Sequence, residues 1–112
     1  MPDCIFCRIA NGEMEAKRVH EDSLVVAIED IKPAAPTHLL VIPRQHLRNA
    51  RELANRELVA HIFDVAHAVA NGSGIGETGY RLVFNVGRDG GQTVDHVHLH
   101  VIGGRPMAWP PG

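Results

Sequence analysis

The sequence lacks long hydrophobic runs, has few cysteines and carries little net charge, and each absence excludes a class of protein. No apolar stretch approaches the ~20 residues that a membrane-spanning helix requires. Two cysteines among 112 residues are too few for the disulfide framework of a small secreted domain. A net charge of −2 gives no electrostatic basis for binding nucleic acid or an anionic membrane.

The amino terminus also lacks the features of a targeting sequence. Met1-Pro2-Asp3-Cys4 shows neither the basic region nor the apolar core of a signal peptide. Together with the low cysteine count, this predicts a protein of the reducing cytoplasm. A composition of 45% hydrophobic and 21% charged residues is ordinary for a globular protein, and we expect residues 1–112 to form a single domain.

Hydrophobic periodicity predicts strands on both sides of one long helix. Apolar residues recur at helical spacing between residues 51 and 70, and Asn71-Gly72-Ser73-Gly74 follows as a stop signal. A short apolar-rich helix is predicted over residues 4–10. Strands are predicted over residues 24–28, 38–42, 80–86 and 94–102. Because short connections favour antiparallel pairing, the predicted fold class is α+β, an antiparallel sheet with one long helix and a short N-terminal helix.

The most informative motif is the alternation of three histidines with apolar residues in His96-Val97-His98-Leu99-His100-Val101. Side chains two positions apart on a strand share one face, so the imidazoles would form a row and the apolar residues would face the core. Since histidine titrates near neutral pH, the row predicts a nucleophile with neighbouring proton-transfer groups. A solvated polar face and a three-histidine metal site are the alternatives, although side chains on a flat strand spread by ~6.5 Å per step.

Two further motifs accompany the histidines. The loop Gly87-Arg88-Asp89-Gly90-Gly91-Gln92, followed by Thr93, could aim N–H groups at a phosphoryl group or form an ordinary hairpin. Cys4-x-x-Cys7 is compatible with a redox pair, with two small buried hydrophobes, or with a Cys2His2 zinc site. His46 and one histidine of the row would complete such a zinc site, and the spacing does not select which one.

The other histidines carry weaker signals. His67 lies opposite the apolar stripe of the long helix and is predicted to be solvated. His61 flanks that stripe and is predicted to be structural, and His20 lies in a turn beside acidic residues. His38 begins an apolar strand, where a buried core histidine and a site residue are both compatible with the pattern.

The motifs resemble the signature of the histidine triad (HIT) family and, more narrowly, of its Hint branch. The segments that carry the resemblance are residues 96–102, 36–43 and 90–92 and the tail 103–112 with Trp109-Pro110-Pro111-Gly112. The resemblance covers residues 4–112 and implies the compact α+β unit of that family, in a homodimer whose two sheets join into one. It further implies a purine nucleoside phosphoramidase, which hydrolyses the P–N bond between AMP or GMP and an amine.

The resemblance also implies roles for individual residues. His98 matches the nucleophile, which attacks the α-phosphorus and forms a nucleotidyl-imidazole intermediate. His100 matches the residue that contacts the phosphate and helps to protonate the departing amine, and His96 and His38 match the residues that orient the nucleophile. The matched binding positions are Asp30 for the ribose, Asn85, Gln92 and Thr93 for the phosphate, Ile5, Phe6, Ile9, Ile28 and Ile31 for the base, and Trp109 for contact across the dimer.

A structural zinc ion is implied by the resemblance as well. In zinc-containing relatives the ion is held by residues that match Cys4, Cys7, His46 and His96, and no cofactor is needed for the chemistry. Three alternatives stay open: hydrolysis of dinucleoside polyphosphates, a non-catalytic nucleotide-binding or partner-binding module, and a metal carrier that uses His98 and His100.

Overall fold

The computed structural model describes residues 3–112 and contains a five-stranded sheet with a helix on each face. In chain order the elements are α1 (Ile5–Ala10), β1 (Arg18–Glu21), β2 (Val25–Glu29), β3 (Thr37–Pro43), α2 (Arg56–Gly72), β4 (Tyr80–Val83) and β5 (Leu99–Gly103). The strand order is β1-β2-β3-β5-β4, and every neighbouring pair is antiparallel. The predicted α+β class, with its long helix and short N-terminal helix, is confirmed. Met1 and Pro2, which entered the predictions on targeting and on the span of the domain, lie outside the described residues.

A different apolar layer covers each face of the sheet. On one face, α2 packs its apolar stripe against alternate residues of the three central strands, namely Val25, Ala27, Leu39, Val41, Leu99 and Val101. On the other face, α1 packs on the residues between them, namely Val26, Ile28, Leu40 and Ile42. Neighbouring residues of a strand therefore belong to different layers. This alternation places even-numbered positions of β5, such as His100, on the α1 side.

The long helix is shorter at its start than predicted. α2 begins at Arg56 because the side chain of Asn55 caps it, accepting a hydrogen bond from the N–H of Leu58. The preceding residues Ala50–Glu52 form a separate turn of 3-10 helix. The apolar stripe correctly located the helix, whereas its start is set by a polar cap that the periodicity does not report.

Some strand predictions need correction. β2 and β3 differ from the prediction by one residue at their ends, and β4 ends at Val83 instead of residue 86. β1 was not predicted, because its sequence Arg-Val-His-Glu offers no apolar run and alternates between half-buried and exposed positions.

Only the β5 part of the strand predicted over residues 94–102 is regular. The N–H of Val97 donates a hydrogen bond of 2.7 Å to the carbonyl of Leu47, a residue that belongs to no strand. The ring of His96 is held by the carbonyl of Pro43, 2.7 Å from Nε2. The predicted strand is therefore irregular over residues 94–98. The three histidine rings still lie side by side, because Phe6 contacts the rings of His96 and His98, and the ring of His98 contacts that of His100.

The edges of the sheet are β1 and β4. An edge strand presents unpaired N–H and carbonyl groups that can extend a sheet, and the continuous two-protomer sheet stays a prediction. Among residues 3–112, no helix combines the length and the apolar character that would let it cross a membrane.

Candidate active site and metal cluster

His98 lies just before β5, and its two ring nitrogens differ in their hydrogen bonding. Its Nδ1 lies 2.7 Å from the carbonyl oxygen of His96, and since a carbonyl only accepts, Nδ1 carries the proton. The lone pair of the neutral ring is therefore on Nε2, to which no group within residues 3–112 hydrogen-bonds. His98 is 7% exposed, and this burial lowers its pKa and keeps the ring neutral near pH 7. A neutral imidazole with a free Nε2 is able to act as a nucleophile.

His38 and His100 form a directional hydrogen-bond relay across β3 and β5. The N–H of Ala34 donates to Nδ1 of His38 over 2.9 Å, so the proton of His38 is on Nε2. That Nε2 donates to Nδ1 of His100 over 2.8 Å, which leaves the proton of His100 on its own Nε2. Burial, together with the nearby rings of His98 and His38, lowers the pKa of His100 to about 4. Near pH 7, His100 is thus a neutral ring that offers an N–H from Nε2.

A pocket of about 430 Å³ opens beside His98 and His100, a volume typical of small-molecule sites. The predicted site residues that line it are Ile5, Phe6, Ile9, Ile28, Asp30, Ile31, Thr93, His98 and His100. The ring of Phe6 meets the ring of His98 edge-on, with centroids 5.0 Å apart. The pocket therefore joins an apolar wall to two histidines of the motif, His98 and His100.

Seven further residues line the pocket without having been predicted: Met14, Glu15, Ala16, Glu29, Lys32, Leu40 and Val94. Leu40 could have been found, because it lies two positions after His38 on the same strand face. Residues 14–16 lie in a connection before β1, where no periodic pattern marks a site.

Asp30 offers carboxylate oxygens at the edge of this pocket. Its Oδ1 accepts a hydrogen bond from the N–H of Lys32 at 2.8 Å, and its Oδ2 lies 3.4 Å from Nε2 of His38. Each carboxylate oxygen accepts at two lone pairs, so capacity remains for hydroxyl donors. The carboxylate is held in place and can still accept from a diol.

Asn85 and Gln92 lie outside the pocket lining and brace the glycine-rich loop. Nδ2 of Asn85 donates to the carbonyl of Gly90 over 2.7 Å, and Oε1 of Gln92 accepts from the N–H of Gly87 at 2.9 Å. The amide nitrogen of Gln92 donates to two further backbone carbonyls. The N–H groups of Gly91 and Gln92 also donate within the loop. The side-chain amides of Asn85 and Gln92 and the N–H groups of Gly91 and Gln92 thus already donate to carbonyls of the chain, and not to a ligand.

Trp109 is 83% exposed and does not line the pocket of its own chain. The tail that carries it is fastened by Arg81, which donates to the carbonyl of Ala108 over 2.8 Å, and by Arg105, which donates to the carbonyl of Ala34 over 3.0 Å. The predicted contact of Trp109 across a dimer stays a prediction.

The four side chains predicted to hold zinc converge in one cluster. Nδ1 of His96 lies 3.2 Å from Sγ of Cys4, 3.5 Å from Sγ of Cys7 and 3.2 Å from Nδ1 of His46. All four ligand atoms lie within 4.8 Å of one another. Two sulfurs and two imidazole nitrogens form a donor set that suits tetrahedral Zn²⁺.

The protonation of the cluster also suits a cation. Because Nε2 of His96 donates to the carbonyl of Pro43, the lone pair of the ring is on Nδ1, facing the sulfurs. Burial, and then the neighbouring Cys4, raise the pKa of the Cys7 thiol, which a bound cation would reverse. The residues present therefore fit a metal ion.

His96 connects the cluster of Cys4, Cys7, His46 and His96 to the candidate nucleophile. Its ring, fully buried, belongs to the cluster, whereas its backbone carbonyl accepts the Nδ1–H of His98. His96 was predicted to orient the nucleophile, and its contact with His98 is made by its backbone carbonyl. His38, for which the same role was predicted, contacts His100.

Comparisons with known proteins agree with this geometry. A family model described as "HIT domain" matches residues 11–107. An uncharacterized HIT-like protein of Synechococcus elongatus is 46% identical over 112 residues, which span 98% of this chain and 97% of that protein. A HIT family hydrolase from Legionella pneumophila has a crystal structure with a TM-score of 0.95 and 50% identity, covering 98% of this chain and 100% of that one.

A third relative contains a metal. The crystal structure of a zinc-bound histidine triad family protein from Mycobacterium smegmatis has a TM-score of 0.83 and 34% identity, covering 93% of this chain and 76% of that one. The family model spans most of the sequence, and these relatives are similar over nearly all of it. The chain belongs to the HIT domain family.

Proposed function

We propose that this chain is a nucleotide hydrolase of the Hint branch, a purine nucleoside phosphoramidase that cleaves the P–N bond of AMP or GMP conjugates. The observation that carries this proposal is the Nε2 of buried His98, which has no hydrogen-bond partner among residues 3–112, in a side chain that lines a pocket of about 430 Å³. The similar Legionella protein is a HIT family hydrolase, which supports hydrolysis as the reaction class.

In the first step, Nε2 of His98 attacks the α-phosphorus, a P–Nε2 bond forms and the P–N bond to the amine breaks. A nitrogen leaves readily only when it is protonated, so this step takes up one proton from solvent. We assign His100 to the path of that proton, because its Nε2–H is the donor adjacent to His98. The same N–H can stabilise the charge that develops on the phosphoryl oxygens.

In the second step, water attacks the phosphorus of the nucleotidyl-His98 intermediate. The P–Nε2 bond breaks, the nucleotide leaves, and the proton taken up in the first step returns to solvent. The hydrogen bond from Nδ1 of His98 to the carbonyl of His96 holds the ring in one tautomer through both steps. Dividing one difficult displacement into two easier ones is the benefit of covalent catalysis.

The substrate would lie along the pocket with its base against the apolar wall of Ile5, Phe6, Ile9, Ile28 and Ile31. Asp30 would accept hydrogen bonds from the ribose hydroxyls, and the hydroxyl of Thr93 would donate to the phosphate. Asn85 and Gln92 would act through the shape of the loop that they brace. In a homodimer, Trp109 would reach the pocket of the other protomer.

We further propose that Cys4, Cys7, His46 and His96 hold a structural zinc ion. The donor set and the carbonyl that fixes His96 support zinc, as does the zinc-bound relative. Bound zinc would fasten the N-terminal segment to the sheet and take no part in the reaction. Thiol ligands agree with the predicted cytoplasmic location, where cysteines stay reduced.

The test is hydrolysis of AMP linked to lysine by the wild type, His98→Ala and His67→Ala. His67 is exposed on α2 and serves as the matched control. We expect rapid AMP release from the wild type and His67→Ala, and none from His98→Ala. Release by His98→Ala at the wild-type rate would overturn the assignment of the nucleophile. A folded wild type that cleaves a dinucleoside polyphosphate but not the phosphoramidate would overturn the substrate class.

A further inference from the structure

Three side chains outside the pocket and outside the cysteine cluster converge between β1 and α2. Nε2 of His20 and Nε2 of His61 lie 2.6 Å and 2.7 Å from the same atom, Oδ2 of Asp22. His20 pairs in register with Ala27, which belongs to the core layer beneath α2. The cluster therefore lies on the face of the sheet opposite to α1 and the active-site pocket.

The carboxylate at its centre is held rigidly by the turn between β1 and β2. Oδ1 of Asp22 accepts hydrogen bonds from the N–H groups of Leu24 at 2.8 Å and Val25 at 2.9 Å. The N–H of Asp22 donates to the carbonyl of Val25 over 3.0 Å, and its carbonyl accepts from Nε of Arg44 at 2.7 Å. Oδ2 is thus left to the two imidazoles.

Asp22 is a carboxylate anion under ordinary conditions. Partial burial raises its pKa, but hydrogen bonds from His20, from the N–H groups of Val25 and Leu24, and from His61 outweigh burial and hold the pKa well below its usual range. The side chains of His20, Asp22 and His61 are 34%, 26% and 32% exposed. An ion from solvent can therefore reach all three.

We propose that His20, Asp22 and His61 form a second metal site, which binds a divalent transition metal such as Zn²⁺ or Ni²⁺. Two imidazoles and a carboxylate are a donor set that these ions accept, with water at the remaining positions. The three ligand atoms lie within 4.8 Å of one another.

Binding requires a small adjustment of the two rings. Bonds of about 2.0–2.2 Å to a tetrahedral ion hold ligand atoms roughly 3.3 Å apart, so each contact to Oδ2 would open by roughly 0.6 Å. As a metal ligand, each ring would carry its proton on Nδ1 and give the Nε2 lone pair to the ion. The bound ion would join the β1–β2 turn to α2 and stabilise the folded chain by mass action.

Calorimetric titration with Ni²⁺ tests the site, on protein loaded beforehand with one equivalent of Zn²⁺ per chain, enough for the cysteine cluster alone. Wild type is compared with His61→Gln, His20→Gln and the control His67→Gln, an exposed histidine of the same helix. We expect wild type and His67→Gln to bind one more equivalent of Ni²⁺ than the His61 and His20 variants. Saturating Ni²⁺ should raise the melting temperature of the wild type by about 5 °C or more, and that of His61→Gln by less.

The comparison separates this site from the other histidines. Ni²⁺ held by Asp30, His38 and His100 beside the pocket would persist in His61→Gln and would be displaced by AMP. Equal Ni²⁺ binding by wild type and His61→Gln would overturn the proposal and leave the cluster as a hydrogen-bonded contact between strand and helix. Circular dichroism and unchanged phosphoramidate hydrolysis by each variant would show that it is folded.

Discussion

His96 and His98 are two residues apart and both buried, yet their ring nitrogens are used differently. His96 has both nitrogens engaged, Nε2 by the carbonyl of Pro43 and Nδ1 by the cluster of sulfurs and His46. His98 has one nitrogen engaged, by the carbonyl of His96, whereas its Nε2 has no hydrogen-bond partner among residues 3–112 and its side chain lines the pocket. The same side chain is thus structural where its donors and acceptors are satisfied, and reactive where one lone pair is left over.

Removing the free nitrogen should have the largest effect. His98→Ala should lower kcat for a nucleoside phosphoramidate on the order of 10³-fold or more, because no other group in the pocket replaces the nucleophile. Its melting temperature should stay within a few degrees of the wild type. Steady-state kinetics and thermal unfolding measure the two quantities, and turnover at a tenth of the wild-type rate would contradict the assignment.

Removing His100, the N–H donor beside His98, should slow hydrolysis mainly of substrates whose leaving group needs a proton. His100→Ala should lower kcat about 10²-fold or more for an amine leaving group, which needs a proton. A nitrophenyl ester of AMP, whose leaving group needs none, should lose at most about tenfold. Equal losses on the two substrates would show that His100 acts on the phosphoryl group alone.

In contrast to His98, the cysteine cluster to which His96 belongs should affect stability more than the rate of hydrolysis. His46→Gln should lose the bound zinc and about 2–4 kcal/mol of unfolding free energy, while kcat falls less than tenfold. Metal analysis and denaturant unfolding provide the measurements, with His67→Gln as the matched control. A variant that keeps its zinc and its stability would exclude His46 as a ligand.

The last expected effect is a pH dependence of the unfolding free energy that comes from His100. The folded chain lowers the pKa of this ring to about 4, below its ordinary value of 6.5. Between these pH values the unfolded chain binds more protons, so the unfolding free energy falls as pH falls from about 6.5 to about 4. One such group contributes at most about 1.4 kcal/mol per pH unit. Denaturant unfolding of His100→Asn across this window should give a shallower slope, and an identical slope would contradict it.

The buried elements were predictable from sequence because each carries its own pattern. α2 has an apolar stripe, and β2 and β3 have apolar runs between turn residues. β1 has neither, because it is a short edge strand, and it was missed. The histidine strand was predicted too long, because the alternation continues through residues 94–98, which lie before β5. In that segment Val97 and His96 bond to the carbonyls of Leu47 and Pro43.

For the site, residues that share one strand face or match the family motif were predictable, and residues joined only by tertiary contact were not. His61 and Asp22 meet across 39 positions, and no local pattern reports that contact. The pocket residues 14–16 were missed for the same reason. The loop interactions of Asn85 and Gln92 show the converse, because a motif indicates that a residue matters before it indicates what the side chain contacts.

Side chains of residues 98–101 alternate between the core and the pocket, and this alternation constrains how the segment can evolve. Leu99 and Val101 belong to the core beneath α2, whereas His98 and His100 line the pocket. Replacing one of these apolar residues by another of similar volume costs less than about 1.5 kcal/mol and leaves the histidines in place. Deleting or inserting a single residue between the two histidines would turn one of them into the core. The apolar residues of this segment can therefore be substituted during evolution, whereas the number of residues between the histidines must stay the same.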